Sequence, residues 1–159
     1  MISVVIPAYN EENAIKKTIE EIKKVLKENK LDKGSEIIVV NDGSKDNTGA
    51  IASECGIVVI NNPTNMGYGF SLKRGIKAAK NETIVITDAD LTYPFDVVPD
   101  MLKKKQEGFD LVVAARTGKY YRQSFLKSLF RKILKKLVEF VSEKKIKDVN
   151  SGLRILIKH

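Results

Sequence analysis

The alternation of short apolar runs with segments of helical periodicity constrains the fold of this chain more than any other feature. Five runs rich in Val and Ile predict strands, and an amphipathic segment follows each of the first four. Strands of continuous apolar character are typical of a parallel sheet with helices on both faces. The sequence therefore predicts an α/β fold, a doubly wound and mostly parallel sheet in one compact domain over 1–159, in which 43% hydrophobic residues supply the core.

The predicted elements follow from this periodicity and from the turn residues between the runs. After Ala115 the alternation breaks, and a long basic amphipathic helix precedes a last strand. The predicted strands cover 2–6, 36–40, 57–60, 82–87, 109–115 and 153–157, and the predicted helices cover 11–26, 46–54, 70–80, 96–106 and 122–143.

The net charge of +8 is concentrated in one segment. Residues 116–147 carry eleven Lys or Arg and two Glu, a net charge of +9, and the rest of the chain is nearly neutral. The apolar stripe of the same segment suits an anionic membrane surface or the domain's own core better than nucleic acid, which we do not expect as a partner. We expect the helix to anchor the chain at a membrane surface. The stripe consists of Phe125, Leu126, Leu129, Phe130, Ile133, Leu134, Leu137, Val138 and Val141.

The sequence is typical of an intracellular protein. The single cysteine, Cys55, excludes an intramolecular disulfide, and Met1 leads into a strand without a signal peptide. No apolar run approaches the ~20 residues that a membrane span needs. We expect a cytoplasmic protein, peripheral on the cytoplasmic face of the membrane. Because the chain stops at His159, we expect a truncated chain or a minimal enzyme.

Polar clusters follow the first, second and fourth predicted strands. Ligands of a doubly wound sheet bind at the carboxyl ends of the strands, where the strand order reverses. If strands one and four are neighbours, the three clusters converge on one crevice. They are Pro7 to Glu12, Asn41 to Ser44, and Asp88 to Asp90.

The pair Asp88 and Asp90 predicts a metal site at this crevice. Two close carboxylates repel each other, and a hard divalent ion such as Mg²⁺ or Mn²⁺ relieves that repulsion. The alternative is a solvated strand end at which Asp90 caps the next turn, and the two accompanying clusters favour the site.

Two basic residues, Lys73 and Arg74, lie early in the third predicted helix. They either reach phosphates near the helix N-terminus or lie on a solvated helix face.

Five motifs, in this order and spacing, carry a resemblance over essentially the whole chain. The chain resembles the family-two glycosyltransferases of the GT-A (Rossmann-like) fold, above all those that use a polyprenyl phosphate, such as the dolichyl-phosphate mannose synthases. The motifs are VVIPAYNEE, VVNDGSKDNT, NMGYGFSLKRGIKAA, ITDADLTYP and NSGLRI.

The resemblance implies a role for each matching residue. Residues 1–115 would bind a nucleotide sugar, and residues 116–159 would face the acceptor and the membrane. The nucleotide pocket would be lined by Pro7, Ala8, Tyr9 and Glu11, and Asp42 would bind the base. Asp88 and Ala89 would contact the ribose and diphosphate, and Asp90 would ligate the metal. Arg116 and Arg154 would hold phosphates, and Arg122 or Arg131 in the basic helix would help to bind the acceptor phosphate. Thr92 replaces a glutamine that ligates the metal in relatives, so the implied metal set is Asp90, Asp88 and Thr92.

The implied reaction is metal-dependent, inverting transfer of a hexose from a GDP-mannose or UDP-glucose type donor to a polyprenyl (dolichyl) phosphate. A phosphate acceptor needs no general base. A saccharide hydroxyl acceptor, the first alternative, needs one, and Asp148 is the candidate. The second alternative is an inactive nucleotide-binding or membrane-recruited module. Sugar nucleotidyltransferases are disfavoured because the loop from Pro7 to Glu11 lacks their glycines and basic residues.

Overall fold

The computed structural model describes residues 1–115 and 151–158. Two compact units make up the chain: Met1–Val112 with Gly152–His159, and Val113–Ser151. The single-domain organisation stays a prediction. The helix predicted over 122–143 lies outside the described residues, as do Arg116, Arg122, Arg131 and Asp148.

The described elements alternate as the sequence predicts. A short 3₁₀ turn, Phe95–Val97, precedes the last helix. The strands are β1 (Ser3–Ala8), β2 (Glu36–Asn41), β3 (Val58–Asn61), β4 (Thr83–Ile86), β5 (Leu111–Val113) and β6 (Arg154–Ile157), and the helices are α1 (Ile15–Glu28), α2 (Thr48–Glu54), α3 (Tyr68–Ala78) and α4 (Val98–Gln106).

The six strands form one sheet in the order β3-β2-β1-β4-β6-β5. β1 pairs in parallel with β2 and β4, β2 pairs in parallel with β3, and β6 runs antiparallel to β4. The predicted neighbourhood of the first and fourth strands is confirmed, with Val5 opposite Ile86. The chain builds β2 and β3 on one side of β1 and then crosses to β4 on the other, so the strand order reverses between β1 and β4.

Both faces of the sheet are covered. On one face, α3 packs Leu72 and Ile76 against a buried cluster that includes Val5, Ile38 and Ile84. Side chains of alternate strand residues point to the opposite face. The residues on that face are also fully buried, and the helices left to cover it are α1, α2 and α4. The buried residues include Val4, Ile6, Val39 and Val85.

Several element ends differ from the predicted ones by a few residues, and those of α1, β4 and β5 are among them. α1 begins at Ile15 because residues 11–14 form a turn, in which the Glu11 carbonyl accepts the N–H groups of Ala14 and Ile15 at 3.0 and 2.9 Å. β4 ends at Ile86, so Asp88 and Asp90 lie beyond the strand. β5 spans three residues of the predicted seven.

The helices of the described part of the chain are all too short or too polar to cross a bilayer.

Candidate active site

A cavity of about 340 Å³ opens at the carboxyl edge of the sheet, where β1, β2 and β4 end. Eight of its lining residues were predicted from the sequence, and Asn65, Gly67 and Tyr68 were not. The structure thus brings together three clusters that lie up to about 80 residues apart in sequence. The eight are Pro7, Ala8, Tyr9, Glu11, Asp42, Asp88, Ala89 and Asp90.

Hydrogen bonds tie the loop after β1 to the loop after β2. The Asn10 N–H donates to Ser44 Oγ at 3.0 Å, and Asn10 Oδ1 accepts the Lys45 N–H at 2.9 Å. The Glu11 N–H donates to Thr48 Oγ1 at 2.7 Å. Asn10 has a φ of 57°, a left-handed conformation that Asn tolerates better than most residues. The two loops therefore form one wall of the cavity.

The Asp42 carboxylate holds a third loop in place. It is 4% exposed, and it accepts the N–H groups of Met66 and Gly67 at 2.9 Å each and Asn62 Nδ2 at 2.6 Å. Burial acts to raise the Asp42 pKa, but the donated hydrogen bonds outweigh it and hold the pKa below its ordinary value. Asp42 is therefore ionised, and it anchors the segment that leads into α3.

Asn62 extends this network to α3. Its Nδ2 also donates to Ser71 Oγ at 2.9 Å, and its Oδ1 accepts from Arg74, whose Nη1 also contacts the Asn61 carbonyl at 3.2 Å. Arg74 therefore orders the loop that follows β3. Lys73 is exposed on α3 and is not among the cavity-lining residues, so its predicted contact with a phosphate stays a prediction.

The segment from Asp88 to Thr92 is a tight loop. The Ala89 carbonyl accepts Thr18 Oγ1 from α1 at 2.9 Å, which fixes the backbone between the two aspartates. Asp90 Oδ1 accepts the Thr92 N–H at 2.9 Å, and Leu91 has a φ of 61°. Thr92 is exposed and contacts Asp90 through its backbone; it does not line the cavity, so its role as a metal ligand stays a prediction.

The glycine of the NSGLRI motif lies against Asp88. A Cβ on Gly152 would be 1.9 Å from Asp88 Oδ2 and 2.8 Å from the Tyr93 ring. The Gly152 N–H donates to the Tyr93 hydroxyl at 2.7 Å. A side chain at position 152 would have to displace the Asp88 carboxylate and the Tyr93 ring, which gives the motif a role in shaping the cavity.

Tyr68 and Arg154 adjoin the same aspartate. The Tyr68 hydroxyl donates to Asp88 Oδ1 at 3.2 Å. Burial and then the charge and hydrogen bond of Asp88 raise the Tyr68 pKa, and the positive charge of Arg154 partly offsets that rise. Arg154 begins β6 opposite Ile86, so a cation lies near the predicted diphosphate end of the cavity.

Acidic side chains make one side of the cavity electronegative. Burial, and then the negative charges of Asp90, Asp46 and Asp88, raise the pKa of Glu11. Within 1–115 and 151–158, no three His, Cys, Asp or Glu residues are grouped closely enough to hold a metal ion. Asp88 and Asp90 would thus supply only one or two ligands, a donor set that fits Mg²⁺ or Mn²⁺ with phosphates and waters in the remaining positions.

Asn65, Gly67 and Tyr68 were not predicted to line the cavity because they follow the third strand, whereas the predicted clusters follow the first, second and fourth. They belong to the connection between β3 and α3. Because β3 is parallel to β2, this connection leaves the sheet at the same edge. The paired glycines of the NMGYG segment are the sequence signal that marks it.

Comparison with known proteins gives a family match over nearly the whole chain. The family model "Glycosyl transferase family 2" matches residues 3–158. A dolichyl-phosphate beta-glucosyltransferase of Trichomonas vaginalis is 32% identical over 84% of this chain and 45% of its own. An undecaprenyl-phosphate 4-deoxy-4-formamido-L-arabinose transferase of Serratia proteamaculans is 29% identical over 99% of this chain and 49% of its own.

The fold also matches a solved structure. The glucosyl-3-phosphoglycerate synthase of Mycobacterium tuberculosis, in complex with Mn²⁺, UDP and glucosyl-3-phosphoglycerate, superposes with a TM-score of 0.76 and 26% identity. The match covers 99% of this chain and 56% of that enzyme. The chain spans about half the length of the proteins that it matches.

Proposed function

The chain belongs to glycosyl transferase family 2, and from that membership we propose that it transfers a hexose from a nucleotide sugar to a polyprenyl phosphate. The observation that carries the proposal is the cavity at the strand-order reversal. Eight of the nine residues predicted for the nucleotide pocket and the aspartate pair line it, and the exposed Lys73 is the ninth. The two relatives named for undecaprenyl-phosphate and dolichyl-phosphate transfer support the acceptor class.

The nucleotide would enter the cavity between the loops after β1, β2 and β3. Tyr9 and Glu11 border it on one side, and Asn65 and Gly67 border it on the other. Because Asp42 is nearly saturated by loop N–H groups, its contribution to the base would come through the loop that it orders as well as through its remaining lone pair.

The diphosphate would lie near Asp88 and Asp90. These carboxylates would hold a divalent ion, Mg²⁺ or Mn²⁺, which when bound stabilises negative charge on the diphosphate. Burial, and then the negative charges of Asp90, Asp46 and Asp88, raise the Glu11 pKa, and this concentration of negative charge supports the proposal of a cation here. Arg154, whose positive charge acts on Tyr68 in the cavity lining, is proposed to bind a phosphate, and Arg116 is proposed for the same role from its motif position.

A phosphate acceptor would attack the anomeric carbon directly and invert it. An ionised phosphate needs no general base, which agrees with a chain whose one histidine is the terminal His159. The acceptor's prenyl chain requires a membrane, and the +9 segment over 116–147 suits anionic headgroups. We propose peripheral binding at the cytoplasmic face on this basis.

A second candidate is transfer to a hydroxyl. It is favoured by the similarity to an enzyme crystallised with glucosyl-3-phosphoglycerate, which is not a lipid. In that case Asp148 is the proposed base. A catalytically inactive module of the same fold would bind the nucleotide and transfer nothing to either acceptor.

Calorimetry of UDP-glucose and GDP-mannose, with and without Mn²⁺, tests the donor site. We expect Mn²⁺ to tighten binding of one of the two donors, and Asp90→Asn to abolish that gain. Asp100→Asn is the matched control, because Asp100 is an exposed carboxylate on α4 paired with Lys103. Binding that is independent of Mn²⁺ and unchanged in Asp90→Asn would refute the site.

A transfer assay then separates the acceptors. A short-chain polyprenyl phosphate in anionic vesicles should be glycosylated, and 3-phosphoglycerate should not. Transfer to 3-phosphoglycerate alone would establish the hydroxyl candidate. Vesicle flotation of the same protein tests the membrane proposal, which fails if the chain does not associate with anionic lipid.

A further inference from the structure

Tyr68 occupies a position that links the two ends of the cavity. It is the first residue of α3, half exposed, and it lines the cavity between Gly67 and the aspartate loop. Its hydroxyl donates to Asp88 Oδ1 at 3.2 Å. A hydrogen bond to a charged acceptor is stronger than one between neutral groups.

Asp88 lies in the loop beyond the strand. β4 ends two residues earlier, at Ile86. The backbone at Gly152 closes one side of the carboxylate, where even a methyl group would clash with Oδ2. The Tyr68 hydroxyl meets the other oxygen, Oδ1, so each carboxylate oxygen of Asp88 has a neighbour that favours the observed orientation.

Tyr68 itself is held by the nucleotide end of the cavity. The N–H groups of Met66 and Gly67, immediately before it, both donate to Asp42. Further along α3, Gly75 lies so close to β1 that an added Cβ would be 2.3 Å from Val5 Cγ1. The start and the middle of α3 are therefore both held in place, which fixes the position of the Tyr68 phenol.

We propose that Tyr68 is a positioning residue that orients Asp88 for the nucleotide diphosphate. The inference rests on the proposed function and deepens it, because it connects the loop ordered by Asp42 to the aspartate pair. Tyr68 acts through Asp88, so removing its hydroxyl matters only while the Asp88 carboxylate is present.

A double-mutant cycle on UDP binding in the presence of Mn²⁺ tests this. We expect Tyr68→Phe to weaken UDP binding about 3- to 10-fold, the effect of losing one hydrogen bond to a carboxylate at a half-exposed site. In an Asp88→Ala background the same change should weaken binding less than about twofold, the signature of two residues acting as one unit. Phe70→Leu, an exposed substitution on the same helix and outside the cavity lining, should leave UDP binding unchanged.

The outcomes separate this inference from the proposed function. Equal effects of Tyr68→Phe with and without the Asp88 carboxylate, or no effect at all, would overturn the positioning role and leave the donor site intact. If UDP binding to the unmodified chain is independent of Mn²⁺ and is also unchanged in Asp90→Asn, the proposed function and this inference both fail. A melting temperature measured for each variant shows whether a loss of binding reflects a loss of fold. Tyr68→Trp, which restores a ring N–H donor, is a second probe of the hydrogen bond to Asp88.

Discussion

At the scale of single residues, Gly152 shows how a motif far along the chain shapes the aspartate site. Its lack of a side chain leaves room for the Asp88 carboxylate and the Tyr93 ring. The sequence identifies the motif but gives no reason for its glycine, because the neighbours that exclude a Cβ come from a loop more than 50 residues earlier.

Gly152→Ala tests this close contact. We expect the variant to lose about 1–3 kcal/mol of unfolding free energy, the usual cost of overpacking, and to bind UDP with Mn²⁺ more weakly because Asp88 is displaced. Chemical denaturation and calorimetry measure the two effects. Adding Asp88→Ala should recover part of the lost stability, since the clash with Oδ2 disappears. A Gly152→Ala variant as stable as the parent would show that the loop yields freely.

Asp42 is the second residue with a role that sequence alone does not show. Asp42→Ala would leave the Met66 and Gly67 N–H groups without their acceptor, and we expect a loss of about 1–3 kcal/mol. Urea denaturation measures it. Asp100→Ala removes an exposed carboxylate with one surface ion pair and should change stability little. Equal stabilities of the two variants would contradict the anchoring role of Asp42.

At the scale of elements, the predicted strands and helices are confirmed in type throughout the described residues, and their ends shift by a few residues. The type follows from hydrophobic periodicity, which a single sequence contains. The ends depend on which polar groups find partners elsewhere. Thr48 is the first residue of α2 because the Asp46 carboxylate accepts its N–H at 3.0 Å, while the other Asp46 oxygen accepts the Glu12 N–H at 3.1 Å from the neighbouring loop.

The packing of α3 on β1 yields a test at this scale. Replacing Gly by Ala inside a helix normally stabilises it, by up to about 1 kcal/mol. At Gly75 we expect the opposite, a loss of about 1–3 kcal/mol, because the added Cβ would meet Val5 Cγ1 at 2.3 Å and Val40 Cγ2 at 3.1 Å. At Gly69, in the same helix, no atom lies within 4 Å and the usual stabilisation should appear. Thermal denaturation of both variants measures the difference, and a gain at both positions would show that α3 moves outward without cost.

At the scale of the whole molecule, two buried or partly buried aspartates link the fold to pH. Hydrogen bonds hold the pKa values of Asp42 and Asp46 below their ordinary value despite the opposing effect of burial. An acid with a lowered folded pKa contributes stability that is complete above its unfolded pKa, about 3.9, and is lost as the pH falls through the folded pKa. We therefore expect the unfolding free energy to decline below about pH 4.

Denaturation curves between pH 2.5 and about 7 test this decline. Asp42→Asn removes one of the two titrating groups, so its stability should be lower near neutral pH and should fall less steeply in acid. An acid limb of unchanged slope in that variant would show that other groups carry the pH dependence.

The sequence by itself determined the α/β class, the order of strands and helices, and which polar clusters follow the strands, because periodicity and turn residues are local properties. Only the tertiary structure decided that β1 and β4 are neighbours, that the connection after β3 closes the cavity with Asn65 and Tyr68, and that Gly152 abuts Asp88. These contacts join residues distant in the chain, and their geometry depends on how the helices and loops pack around the sheet. The stretch from Asp88 to Asp90 shows both contributions. Its position after an apolar run is a property of the sequence, and its contacts with Thr18, Tyr68 and Gly152 exist only in the tertiary structure.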